Sequence, residues 1–172
     1  MLRQTLLLTI AAISATALAD QRTYKIENNR LVVTAPVVFD AGKDTLKAES
    51  AEAIAYVADY LGEKKYISTL RIEVHSDSTG SEKFNQALTE KRAFAVGKAL
   101  IAKGVDCKRL VAVGFGSTKP VAGNDTPEGK AKNRRTEFVN AALRGKAIGG
   151  ESLDGGGAPA GYFCSRYRDH RE

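Results

Sequence analysis

"HSDSTGSEKFNQALTEKRA", His75 to Ala93, is the stretch on which the reading of this chain turns. It opens on a turn of small and polar residues around Asp77 and runs into a segment with helical spacing. At one hundred degrees per residue from Asn85, the residues Leu88, Ala95, Val96, Ala99 and Leu100 fall within about eighty degrees of it. So does Arg92. Gln86, Glu90, Lys91 and Lys98 fall on the far side. The spacing predicts a helix from Glu82 to Lys103, with Gly104 where a left-handed C-cap belongs. An amide and a guanidinium therefore stand in the stripe that packs. Charged groups are costly to desolvate unless they are paired, so Arg92 needs a partner or a ligand.

Upstream, "ISTLRIEV", Ile67 to Val74, alternates in strand fashion, with Leu70, Ile72 and Val74 forming an apolar face. Asp77 then lies past the C-terminal end of a strand, in a loop entering a helix. In α/β-type sheets that edge is where ligands bind, and helix N–H groups there favour an anion. An Asp and an Arg converging at such an edge suit a zwitterion. The guanidinium fork takes a carboxylate and the carboxylate takes an ammonium. The competing reading is an internal Asp77–Arg92 ion pair that fixes the loop.

Further out, "LVVTAPVVFD", Leu31 to Asp40, is rich in β-branched residues and reads as a strand broken at Pro36. Ile54, Val57, Ala58 and Leu61 give a helix over Leu46–Leu61, capped by Asp44 or Thr45 and ended by Gly62. "RLVAVGFG", Arg109 to Gly116, is a third strand. A long loop follows, with one helical turn after Thr126. "RRTEFVNAAL", Arg134 to Leu143, is a fourth strand. The order β-α-β-α-β-loop-β predicts an α+β sandwich, its helices packed on one mixed parallel and antiparallel sheet. Helical crossovers would make the first three strands parallel or near-parallel neighbours, and the last could run antiparallel. The domain spans 32–143. Residues 20–31 read as a short irregular leader. Residues 144–172 read as a Gly-rich flexible tail, whose end "YFCSRYRDHRE" could dock back or recruit an envelope protein.

The chain of 172 residues suits one domain with extensions. "MLRQTLLLTIAAISATALA" has Arg3, a short apolar run, and Ala17 and Ala19 at the small-residue positions of a cleavage site. It reads as a secretory signal peptide, cut after Ala19. The alternative is an uncleaved anchor, although the run is too short to span a bilayer. No later segment is long and apolar enough to span one, and no cysteine follows the cleavage site to carry a lipid. The net charge of +6 includes Arg3, so the mature chain stands at +5. That favours anionic partners such as wall polymer. An exported protein has little occasion to meet nucleic acid, and the basic "KAKNRR" reads as a pocket wall or solvated edge. Cys107 and Cys164 can pair in an oxidising compartment. Their spacing, even with His75 and His170, fits no zinc site.

With these residues in place the chain resembles the OmpA-like peptidoglycan-binding domain family. Asp77, Gly80, Asn85, Leu88–Thr89 and Arg92–Ala93 stand at the spacing of that family's acid-turn-helix motif. Gly114, Gly116, Pro120, Asn124, Thr126, Gly129, Asn133, Arg134, Arg135 and Glu137 match its second half. "VVFDAGKDTL" resembles its opening strand and turn. The resemblance covers about Val32 to Ala141. Ser76 and Thr89 depart conservatively from the family's Thr and Ser, and Lys130 stands where it prefers Arg. The resemblance implies non-covalent binding of peptidoglycan through the diaminopimelate of the stem peptide. Asp77 and Arg92 would hold that centre. Asp40, Thr79, Asn85, Leu88 and Arg134 match positions lining the family's pocket. The export signal implies a periplasmic location, with possible association to the outer membrane, and no metal or organic cofactor is implied.

An enzyme is the main alternative class. His75, Ser76 and Asp77 are consecutive, so strand geometry sends neighbours to opposite faces and no triad converges. Cys107 has no evident base. Gly114-Phe115-Gly116 lacks the following glycine-bearing helix of a dinucleotide site. A non-enzymatic binding domain is expected.

Overall fold

The computed structural model describes residues 23–164. The export signal read at 1–19 lies outside the described residues. So do the start of the leader and the chain beyond 164. The leader is not irregular where it is described. Ile26–Glu27 (β1) and Arg30–Leu31 (β2) form an antiparallel hairpin. Its turn residues Asn28 and Asn29 have φ of 49° and 64°, a conformation a tight hairpin needs and Asn tolerates.

The strand expected at Leu31–Asp40 ends almost where it starts, since only Leu31 lies in β2. The remainder is a loop closed by an isolated bridge between Phe39 and Leu46. Val33, Val37 and Phe39 still pack against the core. Their β-type composition reflects that half-burial rather than a ladder. The first helix also starts late. A 3₁₀ turn at Ala48–Ser50 leads into α1, Ala51–Glu63, which has no side-chain cap and runs past Gly62.

The remaining elements follow the periodicities closely. They are β3 at Ile67–Val74, α2 at Glu82–Ala102, β4 at Leu110–Gly114 and β5 at Thr136–Leu143. The turn after Thr126 is a short helix, α3, Pro127–Asn133, capped by the Thr126 side chain. Gly104 adopts φ +91° past the end of α2.

The strands form a seven-stranded sheet in the order β1-β2-β5-β3-β4-β7, with β6 also on β5. Here β6 is Lys146–Ala147 and β7 is Ala158–Tyr162. β3 and β4 are parallel across the α2 crossover. β5 inserts beside β3 and runs antiparallel to it and to β2. β2, all that remains of the expected first strand, is thus an antiparallel neighbour of β5 and not a neighbour of β3. The reason is its brevity: the pairing segment ends at Leu31, far along the chain from α1.

The front face of the sheet carries Leu70, Ile72, Val74, Leu110, Ala112 and Phe138. It packs on Ile54, Val57 and Leu61 of α1 and on Ala93, Val96 and Leu100 of α2. Gly114 lets α2 approach, because a Cβ there would meet the Glu90 backbone nitrogen at 2.4 Å.

The region after Gly145 is not a free tail within the described residues. β7 adds to the edge of β4, and the segment before it crosses the back of the sheet. There Arg71, 2% exposed, donates to the carbonyls of Ser152 and Leu153 at 3.0 and 3.4 Å and to Glu151 Oε2 at 2.6 Å. Gly155, at φ +60°, lies so close that a Cβ would meet the Arg71 guanidinium carbon at 2.6 Å. Beyond β7, Phe163 is 1% exposed against Gly97 of α2 and stacks on Phe94. Cys164 is bonded to Cys107. Two of the glycines that suggested flexibility, Gly155 and Gly157, serve close approach instead: a Cβ on Gly157 would meet a Val113 methyl at 2.3 Å.

Candidate functional site

A cleft of about 650 Å³ opens at the C-terminal end of β3. Its walls are the 36–42 loop, the 75–79 loop, the first half of α2, and 134–136 at the entry to β5. The seven residues expected to hold ligand, Asp40, Asp77, Thr79, Asn85, Leu88, Arg92 and Arg134, all line this cleft. Their roles within it differ.

Asp77 is 7% exposed. Its Oδ1 accepts the Thr79 backbone N–H at 2.8 Å, and its Oδ2 accepts Arg134 Nη1 at 2.5 Å. Burial alone would raise its pKa, but the bonds from Arg134 and Thr79 outweigh that and hold the carboxyl below its ordinary value. It is therefore an anion at neutral pH. A carboxylate has about four lone-pair sites, so acceptor capacity remains for a ligand.

Arg92 does not pair with Asp77. Its Nε donates to the Lys43 carbonyl at 2.8 Å and its Nη2 to the Asp40 carbonyl at 3.2 Å. The guanidinium lies over the Phe39 ring, 4.8 Å from its centroid. The internal Asp77–Arg92 ion pair is corrected accordingly. The 40–43 loop holds Arg92 through neutral carbonyls, and Arg134 takes the place beside Asp77. Among the described residues Arg92 has no carboxylate within ion-pair distance. Burial lowers its pKa, with Asp44 acting in the opposite sense. A guanidinium stays charged under such a shift. A half-buried cation thus faces the cleft without a carboxylate at ion-pair distance, its planar fork only partly used.

Asn85 is 4% exposed and spends its amide on the loop, donating to the carbonyls of Asp77 and Thr79 at 3.2 and 3.0 Å. It shapes the turn that presents Asp77. Leu88 and Arg92 flank the buried stripe of α2, which runs through Asn85, Thr89, Ala93, Val96 and Leu100. That offset leaves Leu88 and Arg92 turned to the cleft.

Several of the motif positions support the cleft without lining it. Asn124 Oδ1 accepts the Ser78 backbone N–H at 3.1 Å, and Asn133 donates to Asn124 Oδ1 at 3.0 Å. Asn133 also accepts from the backbone of Val121 and Ala122. The long loop is thereby tied to the Asp77 turn. Thr89 Oγ1 accepts the Gly116 N–H at 2.9 Å and joins α2 to the end of β4. Phe39 and Phe84 line the cleft as apolar walls. Periodicity could not mark them, because one sits in a loop and the other on the exposed side of a helix.

Behind the cleft, Glu73, His75 and Glu137 bring ligand-type atoms within 4.8 Å of one another. Arg71 donates to Glu73, and Arg30 and Arg135 donate to Glu137. Their charge is already met by guanidinium groups, an unfavourable setting for a further cation. Cys107 is committed to its disulfide and is no nucleophile.

The OmpA family model matches residues 38–134. The chain belongs to the OmpA family. It is 37% identical over 132 residues to the probable lipoprotein YiaD of Escherichia coli K12, covering 76% of this chain and 56% of that one. It is 39% identical over 110 residues to the peptidoglycan-binding protein ArfA of Mycobacterium bovis, covering 63% of this chain and 33% of that one. The chain thus spans about half or less of the length of these curated relatives. The crystal structure of the peptidoglycan-associated lipoprotein from Burkholderia pseudomallei aligns with a TM-score of 0.55 at 32% identity, covering 60% of this chain and 86% of that one. Asp40, Asp77, Arg92 and Arg134 fall inside the OmpA match, whereas the β1–β2 hairpin and the 146–164 strap lie outside it.

Proposed function

We propose that this protein binds peptidoglycan non-covalently in the bacterial envelope by gripping the free amino-acid centre of diaminopimelate in the stem peptide. The observation that carries this reading is the pair of unlike charges in one cleft. Arg92 offers a desolvated fork without a carboxylate, and Asp77 offers an anion with spare lone pairs. A zwitterion supplies the complement of both. The names borne by the ArfA and Burkholderia relatives support the same ligand class. Export through residues 1–19 would deliver the protein to the periplasm, where that ligand lies. No helix among the described residues is long and apolar enough to cross a membrane. His75 and Ser76 make no hydrogen bond to each other, which supports a holding rather than a catalytic role. A tail that recruits an envelope partner would rest on residues beyond 164, because the strap up to Cys164 is engaged with the domain.

Calorimetric titration with N-acetyl-L-Ala-γ-D-Glu-meso-diaminopimelate, beside the L-lysine analogue, tests this. The lysine peptide keeps the ammonium and lacks the neighbouring carboxylate. The parent should bind the diaminopimelate peptide at least about tenfold tighter, given the strength of charge-assisted bonds. Arg92→Leu should lose that preference. Equal binding of the two peptides by the parent would refute the reading.

A further inference from the structure

Among the described residues, the buried side-chain polar atoms without a hydrogen-bond partner fall in two consecutive residues. They are His75 Nδ1 and Nε2, and Ser76 Oγ. Both residues belong to the wall of the cleft, directly before Asp77. Buried polar groups in folded proteins are nearly always satisfied, and a group that is not asks for an explanation. His75 has one at hand, since its ring stacks on Phe115 at 5.1 Å and its Nε2 lies 3.6 Å from Glu73 Oε2. Ser76 has none. It is 8% exposed, and its backbone N–H is already bonded to the Gly116 carbonyl at 2.8 Å, so the backbone is fixed while the hydroxyl is not used.

We infer that Ser76 is a ligand-binding residue of this cleft, its hydroxyl acting as a second acceptor, beside Asp77, for the ligand's ammonium group. This rests on the wall-binding reading above and sharpens it. An ammonium carries three donors. Asp77 meets it with reduced capacity, because Thr79 and Arg134 each already occupy one of its oxygens. Arg134 also offsets its charge. A cation held there by Asp77 alone would be under-coordinated. A serine hydroxyl moves among staggered rotamers at little cost, and Ser76 lines the same cleft as Asp77, past the end of β3 where strict strand alternation no longer holds. The hydroxyl, without a partner inside the chain, gains one in the complex. Ser76 thereby favours a free ammonium over an acylated nitrogen at that position.

The probes are N-acetyl-L-Ala-γ-D-Glu-meso-diaminopimelate and the same peptide with its diaminopimelate side amine acetylated. They are titrated into the mature protein and its Ser76→Ala and Ser76→Thr variants. Ser76→Ala should weaken binding of the free-amine peptide about tenfold, the scale of one hydrogen bond to a charged group, and leave the acetylated peptide unchanged. Ser76→Thr keeps the hydroxyl and should bind within about twofold of the parent. The melting temperature of Ser76→Ala should not fall, since it removes an unpaired group. Unchanged affinity for the free-amine peptide would overturn the role of Ser76. So would equal losses on both peptides together with a lowered melting temperature. A parent that binds neither peptide would overturn the wall-binding reading and this inference with it.

Discussion

Leu70, Ile72 and Val74 face the helices, while Arg71 and Glu73, out of phase on the same strand, face the strap; all are at most 2% exposed. The two faces of β3 reach the same burial by opposite chemistry. On the front, apolar side chains meet apolar side chains, and any residue of fitting volume would serve. On the back, Arg71 is encircled by Glu73, Glu151 and the carbonyls of the strap. Such a network tolerates burial only while every member is present, since a lost partner leaves a stranded charge. The cleft sits where the two regimes meet, at the end of β3.

The largest effect that would sharpen this comparison is expected from Arg71→Ala. It strands Glu73 and should cost about 3–5 kcal/mol, read from urea denaturation. Ile72→Val on the opposite face should cost only about 1 kcal/mol. Equal losses would break the contrast. Next is the lock on the strap. Replacing both Cys107 and Cys164 by Ser opens a link that closes 57 residues, worth about 4 kcal/mol in the chain-entropy model. Hydrogen exchange should then rise in β4, which loses its edge partner, before it rises in β3.

Acid should act on the back face first. Burial would raise the Glu73 pKa, but His75 and Arg71 more than offset it and hold the carboxyl down to about 2. A depressed folded-state value means that the stabilisation is complete above the unfolded value near 4.5. It is lost as pH falls from there toward 2. The loss is roughly 3 kcal/mol, and Glu73→Gln should flatten that part of the stability profile. Smaller than the loss at Glu73 is the effect of Gly97→Ala. Its new Cβ would fall 2.2 Å from Phe163, and overpacking of this kind costs about 1–3 kcal/mol. Near-ultraviolet circular dichroism should report the displaced ring, with little change in ligand binding.

The same contrast explains what was legible beforehand. β3 and α2 follow from their periodicities almost residue for residue, because apolar contact leaves a pattern with the period of the element. The residues lining the cleft were legible too, since Asn85 and Arg92 broke that pattern beside an acid in a turn. The partner of Asp77 was not. Arg134 lies 57 residues away in sequence, and only the antiparallel insertion of β5 beside β3 brings it there. The strap was hidden for a different reason. Its glycines give it the composition of a linker, although Gly155 sits against Arg71 and Gly157 against Val113 and Phe115. The alternation marked Leu70, Ile72 and Val74 as the apolar face and gave no sign that Arg71 and Glu73 are buried as well.

The most direct test is sedimentation of the mature protein with purified insoluble peptidoglycan. Asp77→Asn and Arg92→Leu variants, shown to be folded by circular dichroism, would be run alongside. The account predicts that the parent co-sediments and that both folded variants stay in the supernatant. A folded parent left in the supernatant would contradict it, as would variants that sediment as fully as the parent.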